Sequence, residues 1–178
     1  MSGHSKWSTI KHTKALTDAK KSHVFSKLAN AISLAARNGA DPSMNPNLRL
    51  AIDKAKAAEM PSDIIQRAIQ RGAGGAEGAN LTEITYEAYG PAGVGIIIEA
   101  ITDNTNRTLS EIRFILNKFG GKLTQTGSVS FNFEKKAGEM IPKYKISISD
   151  ESKKEQIVKL LETLENLDDI NNVWSNLR

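Results

Sequence analysis

Arg71-Gly72-Ala73-Gly74-Gly75-Ala76-Glu77-Gly78 marks the point at which the chain changes its period. Before it, apolar residues recur at three- and four-residue steps; beyond residue 80 they alternate with polar ones. The first pattern lines one stripe of a helix and the second lines one face of a strand. The glycines also invite a phosphate-loop reading, which fails. Neither G-x-G-x-x-G nor a Walker lysine is present, and the loop follows a helix rather than a strand. The stretch reads as a flexible hinge between a helical domain over 1–79 and an α+β domain over 80–178.

Working back from the hinge, three helices are predicted. The nearest begins at Pro61, with Ile64, Ile65, Ala68 and Ile69 inward, Gln66, Arg67, Gln70 and Arg71 more exposed, and Gly72 as its end. The middle one starts at Asn45 as cap with Pro46 in its first turn, where a missing N–H costs nothing. Leu48, Ala51, Ile52 and Ala55 form its inner face. The first runs from about Lys14 to Arg37, with Val24, Phe25, Leu28, Ala31, Ile32 and Ala35 as its stripe and Asn38-Gly39 as its stop. Lys20 and Lys27 fall on one flank of that stripe, Lys21 lies beside Lys20, and Arg37 lies opposite.

Forward from the hinge, Ile84, Tyr86 and Ala88 alternate with Thr85, Glu87 and Tyr89, as a half-buried strand would. Gly90-Pro91-Ala92-Gly93 turns into Val94–Ile101, whose nearly unbroken apolar run suits a central strand covered on both faces, paired with its predecessor as a hairpin. A helix follows, with Leu109, Ile112, Leu116 and Phe119 inward, Thr108 and Glu111 as a capping box, and Gly120 as its end. Ser128–Glu134 alternates again through Val129, Phe131 and Phe133. Tyr144, Ile146 and Ile148 read as a further strand, Ile157, Leu160, Leu161 and Leu164 as a last helix, and Ile170–Trp174 as the closing strand. The fold class is α+β: a three-helix module, then a sheet domain with helices packed on one face.

The richest basic segment lies before all of this. Gly3-His4-Ser5-Lys6-Trp7-Ser8-Thr9-Ile10-Lys11-His12-Thr13-Lys14 holds three lysines, two histidines and a tryptophan, and no acid precedes Asp18. Lysines neutralise phosphates and an indole offers a face for a base. The plainer alternative is a solvated tail that Trp7 and Ile10 pin to the next helix. Net charge is +4, unevenly spread. Residues 1–80 carry 12 Lys and Arg against 6 Asp and Glu, whereas 81–178 carry 12 against 14. The first half is the candidate polyanion binder. Lys6, Trp7, Lys11, His12, Lys14, Lys20, Lys21, Lys27, Arg37, Arg67 and Arg71 are its candidate contacts.

Other classes find little support. No apolar run approaches the roughly 20 residues that span a bilayer, and no apolar h-region follows the basic start. The 178 residues include no cysteine, so disulfides and Cys-ligated metals are out. The histidines match no zinc spacing. No nucleophile elbow is present, and Asp168-Asp169 should point apart in extended chain. The expectation is a cytoplasmic protein that is not an enzyme, with no cofactor, no metal, no membrane partner and no small-molecule substrate.

The order of several segments carries a family resemblance: the basic opening; Asn45-Pro46-Asn47-Leu48-Arg49-Leu50-Ala51-Ile52-Asp53-Lys54-Ala55; Met60-Pro61 with Ile65-Gln66-Arg67-Ala68-Ile69; Arg71 to Gly75; Tyr86-Glu87-Ala88-Tyr89-Gly90-Pro91; Thr102-Asp103-Asn104 with Asn106-Arg107-Thr108; Gly127-Ser128-Val129; Leu167-Asp168-Asp169-Ile170 with Asn172-Val173. Together they resemble the YebC family, described as probable transcriptional regulators, with mitochondrial relatives that act as translational activators. The resemblance implies a DNA-binding regulator of transcription. The alternatives are a ribosome-associated translation factor contacting rRNA, or a protein-interaction module whose basic half is incidental. Such proteins usually carry a third small domain inserted before the final strand–helix–strand. Here Phe133 to Pro142 joins the flanking segments almost directly, which predicts one closed domain with strand 144–149 in the same sheet as strand 94–101.

Overall fold

The computed structural model of the chain describes residues 18–75 and 80–178. These fall in two compact units, one containing the three helices together with Ile101–Asp103, the other containing Glu83–Ala100 and Asn104–Arg178 and so most of the sheet.

In the first unit, α1 spans Asp18–Ala36, α2 Pro46–Ala57 and α3 Ser62–Ala73. Leu28, Ile32 and Ala36 of α1, Leu48, Ile52 and Ala55 of α2, and Ile65, Ala68 and Ile69 of α3 are buried. Asn45 fixes the turn into α2. Its Oδ1 accepts from the Leu48 N–H at 3.1 Å, and its Nδ2 donates to the Ala35 and Gly39 carbonyls at 2.8 and 2.9 Å. One side chain therefore caps α2 and also satisfies carbonyls at the end of α1. Gly72 does not end α3. It lies inside the helix, where a Cβ would come within 2.1 Å of the Ser33 carbonyl oxygen. Ser33, fully buried, donates its hydroxyl to the Ala68 carbonyl at 2.8 Å. The glycine is there because two helix backbones cross at that point.

The second unit holds β1 (Thr82–Tyr89), β2 (Gly95–Thr102), α4 (Thr105–Lys118), β3 (Lys122–Thr124), β4 (Phe133–Lys136), β5 (Glu139–Pro142), α5 (Glu151–Glu165) and β6 (Ile170–Ser175). The main sheet has the order β3-β1-β2-β6, so β2 is central, as its apolar run requires. Ile96, Ile98 and Ala100 pack with Ile112 and Leu116 of α4 and Leu160 and Leu164 of α5. On the other face Ile97 packs with Val129, Phe133 and Trp174. Both helices cover one face, and a loop with the small β4–β5 hairpin covers the other.

Four expectations from sequence are revised or refined here. Ser128–Glu134 is not one strand: a 3-10 turn occupies Ser130–Asn132, and only Phe133 onward is extended. Residues 144–149 do not join β2. Ile146 makes an isolated parallel bridge to Leu177, past the end of β6. The join at Phe133–Pro142 is a hairpin closed by Ala137-Gly138, both at positive φ (50° and 81°), as a two-residue turn with the sheet's twist demands. Finally, Thr108 is not a cap. Asn104 caps α4 by accepting from the Arg107 N–H at 3.0 Å.

Candidate nucleic-acid interface

Of the expected contacts, Lys6, Trp7, Lys11, His12 and Lys14 lie outside the described residues. Lys20 and Lys21 are exposed in the first turns of α1, and Arg37 is exposed just past its end. Lys27 is a correction. It is only 5 % exposed and is engaged by its surroundings, so it offers no charge to a polyanion. Flank arguments assume that only the apolar stripe is covered, and a lysine stem can be buried elsewhere on a helix.

Arg71 is a second correction. Its Nε donates to Ser33 Oγ at 3.0 Å and its Nη2 to Asn30 Oδ1 at 2.8 Å, which ties α3 to α1 beside the Gly72 crossing. Arg67 is exposed but ion-paired with Asp63 one turn earlier. The hydrogen bond from Arg67 holds the Asp63 carboxyl below its ordinary range. Such an exposed pair is loose, and a phosphate can compete for the guanidinium. As a recognition helix α3 is nevertheless poorly equipped, with one arginine turned to structure and the other partly neutralised.

Sequence reasoning passed over α2. Arg49, Asp53 and Lys56 follow one another at steps of four and three on its outer side, with Lys54 beside them, and all are exposed. The signal was available, since these are the positions left over once Leu48, Ile52 and Ala55 face inward. Exposed cations of the described helical residues are thus Lys20, Lys21, Arg37, Arg49, Lys54, Lys56 and Arg67, set against five exposed acids. The surface is mildly basic, and the segment before Asp18 adds three lysines and no acid.

The sheet unit holds two polar centres that alternation could not reveal. Asp169, one residue before β6, accepts from Arg107 Nη2 on both oxygens (3.1 and 2.9 Å) and from Thr108 Oγ1 at 2.7 Å. Tyr86 lies close by, its hydroxyl pushed up by burial and by the Asp169 charge. This constellation fastens the start of α4 to the start of β6. Among the described residues no group of three or more His, Cys, Asp or Glu could hold a metal ion. None of the described helices is long and apolar enough to cross a membrane.

The second centre is Glu87, which alternation placed on the outer face of β1 but which is buried. Its Oε1 accepts from the Gly127 N–H at 2.8 Å and its Oε2 from the Val129 and Ser130 N–H groups at 2.6 and 3.0 Å. Burial pushes this carboxyl up, but the three N–H donors more than offset burial and leave it below its ordinary value. Because the folded state holds the proton less tightly than the unfolded chain, Glu87 stabilises the fold at neutral pH. That contribution is lost as pH falls through the ordinary glutamate range near about 4.3 and below. Glu87→Gln, which aims an amide donor at N–H donors, is expected to cost about 2 kcal/mol at pH 7. Melting curves from pH 7 to 3 should show the gap between wild type and variant closing in acid. A gap independent of pH would contradict the role given to the charge.

Against known proteins, residues 5–75 match the family profile described as the TACO1/YebC protein N-terminal domain. Residues 81–138 match the one described as the TACO1/YebC second and third domain. A "Probable transcriptional regulatory protein" of Petrotoga mobilis is 53% identical over 152 residues, 85% of this chain and 61% of that protein. One of the same name from Chlorobaculum parvum is 54% identical over 151 residues, 84% of this chain and 60% of that protein. These relatives are named as regulators, not as enzymes. The chain spans about three-fifths of the length of the curated relatives it matches. The crystal structure of a conserved hypothetical protein from Aquifex aeolicus superposes with a TM-score of 0.85 at 33% identity, covering 95% of each chain.

Proposed function

Because the chain belongs to the TACO1/YebC family, we propose that it is a nucleic-acid-binding regulator of gene expression, working in the cytoplasm through phosphate contacts of its basic half. The observation that carries this reading is the charge distribution. The segment before Asp18 holds three lysines and no acid, and Lys20, Lys21, Arg37, Arg49, Lys54 and Lys56 are exposed on the helices that follow. Phosphate contacts give affinity and orientation without base identity. DNA is the target suggested by the relatives' names, and binding of this type tolerates many sequences.

A second reading is favoured by one observation. Sequence-specific DNA recognition needs free side chains on a rigid element held in a groove. On α3, Arg71 is bound to Ser33 and Asn30, and Arg67 is paired with Asp63. That arrangement suits tracking of a backbone, as on structured RNA, better than reading of base edges. In this reading the protein is a translation factor that contacts ribosomal RNA.

Paired experiments separate the two: selection from random-sequence DNA, and sedimentation of the tagged protein with ribosomes at near-physiological salt. The expected result is DNA binding with a specificity ratio well below about a thousandfold. Co-sedimentation with ribosomes would select the translational reading. A sharply enriched DNA motif without co-sedimentation would select a dedicated transcriptional regulator and overturn the account of α3.

A further inference from the structure

The loop before the β4–β5 hairpin is fixed from below. Glu87 accepts three of its N–H groups, and Tyr89 Oη donates to the Ser128 carbonyl at 2.7 Å. On this fixed loop Phe131 is nonetheless 68% exposed. The hairpin register pairs Phe133 with Pro142, and the Lys143 N–H donates to the Asn132 carbonyl at 2.8 Å. Phe131 itself lies in the 3-10 turn before the hairpin; its carbonyl is met by the Lys143 ammonium at 3.2 Å, and the residue after Lys143 is Tyr144, which is 74% exposed. Two large rings thus stand in solvent on neighbouring segments of chain, on backbone that does not need them there for packing.

Their surroundings are basic although the unit as a whole is not. Lys143 donates its ammonium to the Phe131 carbonyl at 3.2 Å, and Lys145 is exposed one residue past Tyr144. Among the described residues neither forms an ion pair. Lys136 is paired with Glu134, and Lys135 lies 3.8 Å from Glu99. Exposed rings interleaved with uncompensated ammonium groups match a chain that alternates flat bases and phosphates. A protein partner would be met by the rings, but the two cations would need acids placed to suit them.

We propose that Phe131 and Tyr144, flanked by Lys143 and Lys145, form a stacking site for a short run of unpaired nucleotides. This rests on the reading of the chain as a nucleic-acid binder and adds to it a contact on the sheet unit. Phosphates are met by the helical half in either strand state, but base faces are open only where the strand is single. The pre-set backbone of the loop means that little ordering is needed when a base docks.

The test uses the full chain and three fluorescent probes of about 12 nucleotides or base pairs, a length within the span of a small single-strand site: oligo-U, oligo-dT and a mixed-sequence duplex. The double variant Phe131→Ala with Tyr144→Ala should weaken both single strands by about tenfold or more per stacked base, and leave the duplex unchanged. Its salt dependence should be that of wild type. Lys143→Gln with Lys145→Gln should instead flatten the single-strand salt slope by about 1.4. Equal loss on oligo-U and oligo-dT assigns the site to single strands in general, and a loss confined to oligo-U assigns it to RNA. Because both rings are exposed, melting temperatures should not change. Unchanged single-strand affinity in the ring variant, with binding abolished by replacing Lys6, Lys11 and Lys14, would overturn this site and leave the proposed function standing. A wild-type chain that binds no probe would overturn both. Self-association that disappears in the ring variant, without any effect on oligonucleotides, would give the surface to a second copy and overturn the proposal.

Discussion

Gly72→Ala is expected to destabilise the helical unit by about 3 kcal/mol or more, at the upper end of overpacking costs. In an isolated helix the same change is favourable by about 1 kcal/mol, because glycine is the poorer helix former. The sign reverses here because the new methyl would come within 2.1 Å of the Ser33 carbonyl oxygen and 2.8 Å of its Cα, all backbone. No rotamer change relieves that overlap, so α1 and α3 must separate. Separation also loosens the bond from Ser33 to the Ala68 carbonyl and the two bonds from Arg71 to Ser33 and Asn30. Urea denaturation measures the effect, with Gln70→Ala, an exposed position two residues away on the other side of α3, as the control expected to change little. A Gly72→Ala protein as stable as wild type would mean that the helices do not cross where described.

Asp169→Ala is expected to cost about 3 kcal/mol, as removal of one partner from a largely buried pair does. The carboxylate has a side chain only 12% exposed, whereas the Arg107 side chain is 45% exposed and can recover some hydration. That places the cost at the low end of the range and not above it. Thr108 loses the nearer of its two acceptors (2.7 Å, against 3.1 Å to the Asn104 carbonyl), and the start of α4 loses its tie to β6. A shift in melting temperature of about 14 °C is expected, given the usual entropy of a unit of about 100 residues. Asp169→Asn keeps the shape and an acceptor, so it should recover roughly half. Equal losses for both variants would show that the charge alone sets the effect, and full recovery by Asp169→Asn would show that the charge contributes nothing.

Much of this architecture is legible in the residues, and the illegible parts share a cause. Asn45-Pro46 announces a helix start because capping is decided within four residues. The run from Val94 to Ile101 announces a central strand because burial on both faces leaves no polar alternation. Glu87, by contrast, sits where alternation makes it outward, and it is buried only because a loop 40 residues away supplies three N–H donors. Gly72 looks like a helix stop because local rules give glycine that meaning, while its reason lies on another helix at Ser33. Phe131 and Tyr144 look like strand core because apolar alternation does not distinguish a covered face from an open one. The candidate interface divides in the same way. Lysines exposed near a helix start are readable, but the engagement of Lys27 and Arg71 by the interior depends on helix packing that no single stripe encodes.

The central claim, that the basic half binds nucleic acid through phosphates, is tested most directly by the salt dependence of duplex binding. Wild type and the variant with Lys6, Lys11 and Lys14 changed to Ala would be titrated with one labelled duplex between about 50 and 200 mM salt. Each lost phosphate contact on a duplex should lower the slope of log affinity against log salt by about 0.9, so the triple variant should flatten it by about 2 or more and bind more weakly at every salt. A slope unchanged by the three substitutions, or a wild type whose affinity does not depend on salt, would contradict the account.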